Sequence, residues 1–174
     1  MTEEMDFALT LLRVAIGLTM VAHGYNHFFK GGRIAGTGRW FESLGMRPGR
    51  FHAVLASTLE IVTGLLMMAG LLTPFAAAGF VGLLFVAYWT VHRKNGFMVI
   101  REGWEYVFVL SVAAVTVAML GPGGWSADDQ LDLIDVLDGW VGLAISAGGG
   151  LLAATALLLV FYRPPAPEPG PATG

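Results

Sequence analysis

Polar residues divide the chain into five apolar runs, at about 7–28, 51–72, 74–92, 104–120 and 140–162. Each is close to the ~20 residues that a helix needs to cross a bilayer. Phe75 to Val91 and Tyr106 to Leu120 contain no charged residue at all, which is too long and too apolar for ordinary core helices. The pattern predicts an all-α membrane protein: a four-helix transmembrane bundle over 7–122 with an added fifth transmembrane helix at 140–162. Leu72-Thr73-Pro74 leaves so little chain between the second and third runs that these helices must be antiparallel neighbours, with Pro74 in the first turn of the third. Between the first two runs, Thr37 to Gly45 predicts a short interfacial helix carrying Arg39, Trp40 and Phe41, with Thr37 as its cap and Gly45 as its stop. Between the last two, residues 123–139 form an acidic link in which Ser126 and Asp129 open a short surface helix in capping-box fashion. The tail, 163–174, is Pro-rich and expected to be disordered.

Charge orients the bundle. Lys30, Arg33, Arg39, Arg47 and Arg50 lie in the first link, Arg93, Lys94 and Arg101 in the third, and Arg163 after the last span, so nine of the ten basic residues fall at one end. The opposite end holds Glu3, Glu4 and Asp6 and the five Asp residues of the acidic link. The positive-inside rule then predicts a multi-pass protein of the cell membrane, with its N-terminus outside and its C-terminus cytoplasmic. The acidic start also lacks the basic region of a signal peptide, so the first run is read as a retained span.

Composition agrees: 55% of residues are hydrophobic and 13% charged, with a mean hydropathy of +0.66. That charge fraction is roughly half that of a soluble domain. A net charge of −3, with the basic residues explained by topology, gives no reason to expect a nucleic-acid partner. The chain has no cysteine, which excludes disulfides, thiolate zinc sites, cysteine-ligated iron–sulfur clusters and covalent haem attachment. Gly31 to Gly38 has the composition of a phosphate loop but follows a membrane helix rather than a strand. The Asp residues at 128, 129, 132, 135 and 138 lack EF-hand spacing and read as a solvated face. Ser146 to Gly150, in the last run, exposes backbone suited to close helix contact, with Gly149 as the expected contact point.

Ionisable residues inside apolar runs are the candidates for chemistry. Glu60 is calculated to lie ~14 Å from the basic end of its helix and His23 ~8 Å, with His27 and Glu105 at the boundary. Arg13 is placed either to reach toward Glu60 or to snorkel outward past Asp6. His23 and His27 are four residues apart and share a helix face. His92 and Glu105 flank a link in which Asn95-Gly96 supplies a turn, while His52, at a helix start, reads as interfacial. The candidate catalytic residues are therefore Glu60, His92 and Glu105, and the candidate cofactor-binding residues His23, His27 and Asn95. Such a set suits a quinone headgroup or a metal ion; it equally suits a polar cluster that only joins helices. A faint internal echo supports a paired arrangement: each hairpin runs His27 or His92, a basic link, then Glu60 or Glu105.

The order of several short motifs resembles the DoxX family of small bacterial membrane proteins. They are Leu12-Arg13, Gly17-Leu18 and His23-Gly24; Trp40 to Pro48; Leu59-Glu60 with Gly64; Thr90-Val91-His92 with Asn95-Gly96-Phe97; Gly103-Trp104-Glu105-Tyr106; and Gly121-Pro122-Gly123 with Trp125-Ser126. The resemblance covers residues 8–129. The resemblance implies a four-helix membrane bundle, with some relatives being the small membrane subunit of a thiosulfate:quinone oxidoreductase and others linked to oxidative-stress complexes. The expectation is a membrane subunit of a redox system, in which His23, Glu60, His92 and Glu105 line a pocket that binds a quinone headgroup or metal and passes protons. The alternative is a non-enzymatic anchoring or assembly protein. In either case the partners are the lipid bilayer and a soluble or membrane protein or a second copy of the chain.

Overall fold

The computed structural model describes residues 1–164, so most of the Pro-rich tail lies outside the described residues. Every apolar run becomes a helix. The elements are α1 (Glu3–Phe29), α2 (Arg33–Ser43), α3 (Gly49–Ala69), α4 (Thr73–Thr90), α5 (Glu105–Leu120), the short α6 (Ala127–Gln130) and α7 (Ile134–Leu137), and α8 (Gly139–Phe161). Helices α1, α3, α4 and α8 are long and apolar enough to cross a membrane; α5, of 16 residues, is shorter. Its ends are set by the folded 92–104 link on one side and by Gly121, with φ +81°, before Pro122 on the other.

The long helices alternate in direction. α1 lies along α3, α3 against α4 and α4 against α5, while α5 returns to touch α1 more lightly; α8 lies outside this ring on α4 and α5. Ile16, Met20, Met67, Phe80, Leu84, Leu110 and Val117 fill the centre. α1 and α3 approach at glycines: a β-carbon on Gly17 would stand 2.6 Å from the Gly64 carbonyl oxygen, and one on Gly24 equally close to that of Ser57. Only small residues permit that backbone separation.

The acidic end is locked by buried polar groups. Asp128, 1% exposed, accepts hydrogen bonds from Leu72 N (2.7 Å), Thr73 N (2.9 Å) and Thr73 Oγ1 (2.7 Å), so it caps α4 from a distant part of the chain. The expectation of a solvated Asp face therefore fails at Asp128, because the free N–H groups of α4 need an acceptor. Arg13 reaches neither Glu60 nor solvent. Buried at 2% exposure, it donates to the Met68 carbonyl (2.6 Å), to Thr10 Oγ1 (3.1 Å) and to the Trp125 carbonyl, tying α1 to the end of α3 and to the acidic link. Ser126 caps α6 as expected, accepting from Asp129 N.

At the basic end, α2 is longer than the sequence suggests. Gly32 precedes it, and Thr37 sits inside the helix with its hydroxyl donating to the His27 carbonyl rather than capping. Gly45, with φ +92°, follows the helix as its stop. His52, in the first turn of α3, is covered by protein: it is 2% exposed, ringed by Phe41, Phe51 and Phe161. Phe161 can reach it because the end of α8 is bonded to the first link, with Arg47 N donating to the Phe161 carbonyl and Arg163 N to that of Gly45.

α8 makes its close contacts at positions other than the expected one. A β-carbon on Gly150 would meet the Ala78 carbonyl at 2.6 Å and Val81, and one on Gly142 the Ala118 carbonyl, whereas Gly148 and Gly149 face open space. One π-helical turn, Ala144–Gly149, lies between the two contacts; such a turn shifts the face that follows it.

Candidate functional site

Midway along α3, Glu60 faces α1. Its Oε1 is 3.9 Å from His27 Nε2, with the two side chains 13% and 26% exposed. Its other oxygen, Oε2, is buried and has no hydrogen-bond partner in the protein. The position of Glu60 follows from the glycine contact, since the missing side chain of Gly24 leaves room for the Glu60 Cβ. His27 is held from the link side, its ring lying nearly parallel to that of Trp40 at 6.3 Å. One turn earlier on α1, His23 Nε2 is hydrogen-bonded to Tyr106 Oη at 3.1 Å, across the light α1–α5 contact. The result is a chain of polar groups, Tyr106–His23 and His27–Glu60, fed by α1, α3 and α5 within otherwise apolar surroundings.

The remaining sequence candidates are bound elsewhere. His92 Nδ1 donates to the Glu102 carbonyl (2.6 Å), and Asn95 Nδ2 donates to the same oxygen (3.2 Å). Glu105 Oε2 accepts from Val99 N (2.9 Å). His92 and Glu105 thus close the α4–α5 hairpin through its backbone rather than through each other, and Gly96, at φ +79°, makes the expected turn. The echo between the two hairpins does not extend to their His and Glu side chains: His27 faces Glu60, whereas His92 and Glu105 each bond a link. Among the described residues, no three of His, Asp and Glu come together as a group that could hold a metal ion.

Sequence reasoning missed Tyr106. Its hydroxyl was the available signal, as a polar group inside an apolar run that must find a partner. An apolar groove of about 440 Å³ lies on a different face of α5, lined among others by Phe85, Tyr88, Trp104, Phe108, Ala147 and Leu151, and contains none of the polar site residues.

The DoxX family model matches residues 8–93, from α1 through α4, and thereby takes in His23, His27 and Glu60. A curated relative from Mycobacterium tuberculosis (strain ATCC 25618 / H37Rv), "Uncharacterized membrane protein Rv3486", is 31% identical over 130 residues, covering 69% of this chain and 78% of its own length. The chain belongs to the DoxX family. A second relative, from Bacillus subtilis (strain 168), bears the name "Putative oxidoreductase CatD" and is 29% identical over 121 residues, 70% of this chain and 84% of its own. No solved structure matches the chain. The matched DoxX segment ends short of α5, so Tyr106 lies outside it.

Proposed function

We propose that this DoxX protein is the membrane subunit of a redox system and that Tyr106, His23, His27 and Glu60 receive a quinone headgroup. The observation that carries the reading is Glu60: a carboxyl group deep in a membrane helix, one oxygen near an imidazole and the other without a partner. A carboxylate at the bilayer centre costs roughly 2.5–3.5 kcal/mol or more unless it is paired or protonated. A quinone supplies carbonyl oxygens that accept hydrogen bonds from Tyr106 or a protonated Glu60, and its reduction takes up protons that the His and Glu side chains can relay. Electrons would come from a partner protein. The name of the Bacillus subtilis relative supports a redox setting. His92, Asn95 and Glu105 take a supporting part here, shaping the link that precedes Tyr106.

The competing reading, a non-enzymatic anchor, draws on Arg13, Asp128, His52 and His92, all of which spend their polar groups on internal contacts. Arg13 also leaves its Nε without a partner, but that is a donor on a permanent cation; Glu60 differs from all four in that its unpartnered atom is a carboxyl oxygen, which can take a proton or a ligand's donor. The distribution of basic residues supports a cytoplasmic location for the end that holds α2 and the 92–104 link. The fifth helix, α8, we take as an addition to the four-helix unit that steadies its basic end.

The quinone reading is tested by photolabelling the protein in vesicles with an azido-quinone and mapping the modified peptides. Labels should fall on α1, α3 or α5 around His23, Glu60 and Tyr106, and excess unlabelled quinone should suppress them. Labelling that is confined to other helices, or is not competed, contradicts the assignment.

A further inference from the structure

The 92–104 link carries a second feature, independent of the polar site. Phe97, Met98, Val99 and Ile100 are consecutive and exposed, Ile100 at 90%, although this segment is well folded. Trp104 N donates to the Gly96 carbonyl, Glu105 N to that of Phe97 and Val99 N to the Glu105 carboxylate. Internal bonds of this kind are what a non-helical segment needs before it can lie against lipid, because the bilayer offers its backbone no partner.

Helix lengths place the link within the membrane's thickness. α3 has 21 residues, α4 has 18 and α5 has 16. α3 and α4 are held level at the acidic end, where Asp128 bonds Leu72 and Thr73 and Gly70 O accepts from Asp128 N. At 1.5 Å per residue, α4 therefore stops about 4–5 Å short of the basic end of α3. α5, at ~24 Å, is also shorter than the ~30 Å hydrocarbon core. The charges suit the same level: Arg93 lies 4.2 Å over the Trp89 ring, as cations do in an interfacial aromatic belt, and Lys94 and Arg101 are exposed beside the apolar tip.

We propose that the 92–104 link is a lipid anchor, whose tip Phe97–Ile100 enters the acyl–headgroup boundary while Arg93, Lys94 and Arg101 engage the phosphates of anionic lipids. The tip makes up the thickness that the short α4–α5 hairpin lacks, and the cations fix it at the interface. Its partner is the protein's own membrane, not a soluble protein.

The cysteine-free chain allows a direct test. Ile100→Cys removes a side chain with almost no packing, and the full-length variant can be labelled with an NBD fluorophore and reconstituted into phosphatidylcholine vesicles containing phosphatidylglycerol. The expected result is blue-shifted emission, quenched by shallow nitroxide lipids and protected from aqueous iodide. Replacing Arg93, Lys94 and Arg101 together by Gln should lower quenching by nitroxide-labelled phosphatidylglycerol relative to labelled phosphatidylcholine several-fold. Water-like emission with full iodide access overturns the anchor, as a surface meant for a soluble partner would give. A preference for phosphatidylglycerol that survives the triple substitution overturns the assigned role of the three cations.

Discussion

Two carboxylates show how far residue type alone can be read. Glu60 is conspicuous because it interrupts an apolar run, and its depth along α3 follows from counting residues. Asp128 is hidden among four other Asp residues in a polar link, and only the fold shows that it faces the unpaired N–H groups of α4. Its removal leaves those donors unsatisfied and Arg13 without its neighbouring negative charge. Asp128→Ala is therefore expected to destabilise the protein by about 3 kcal/mol or more, whereas Asp135→Ala, at an exposed position, should change stability by less than ~0.5 kcal/mol. Thermal or denaturant unfolding in detergent compares the two, and equal effects would contradict the capping role. Tyr106 carried a signal, its hydroxyl within an apolar run, but nothing that pointed to its partner His23, 83 residues away.

For the elements, the apolar runs located every long helix, since a bilayer-spanning segment must be apolar along its whole length. What the runs did not carry was the detail of contact. Gly142, Gly148, Gly149 and Gly150 are identical residues, and which of them meets a neighbour depends on the rotation of α8 through its π-helical turn. Gly150→Leu would drive a side chain into the Ala78 carbonyl and Val81, an overpacking that costs typically 1–3 kcal/mol. Gly149→Leu points into open space and should be neutral within ~0.5 kcal/mol. Stability measurements that reverse this order would contradict the packing of α8. The short length of α5 was readable as well, the run at 104–120 falling within one residue of the helix Glu105–Leu120; what was not readable was the set of backbone bonds within the 92–104 link that fixes its start.

On the scale of the whole molecule, the order of the helices and the family were legible, because alternating spans and short links leave few arrangements and the DoxX motifs recur in sequence order. The polar site was only partly legible: two helical neighbours on α1 and one carboxylate on α3 come together, while His92 and Glu105 turn into their own link. The orientation we propose puts the basic end in the cytoplasm, so Lys94→Cys should resist membrane-impermeant thiol reagents in intact cells and react after lysis; rapid labelling in intact cells would reverse the topology. The central claim is that Glu60 handles protons or ligand rather than only joining α1 to α3, and Glu60→Gln separates these roles by keeping shape and hydrogen-bonding capacity while removing the titrating group. The decisive measurement is quinone reduction by membranes carrying either protein, read beside the thermal stability of each. The account predicts a Gln variant that is folded and as stable as the parent within ~1 kcal/mol, yet at least tenfold slower. A stable Gln variant with full quinone-linked activity would contradict it.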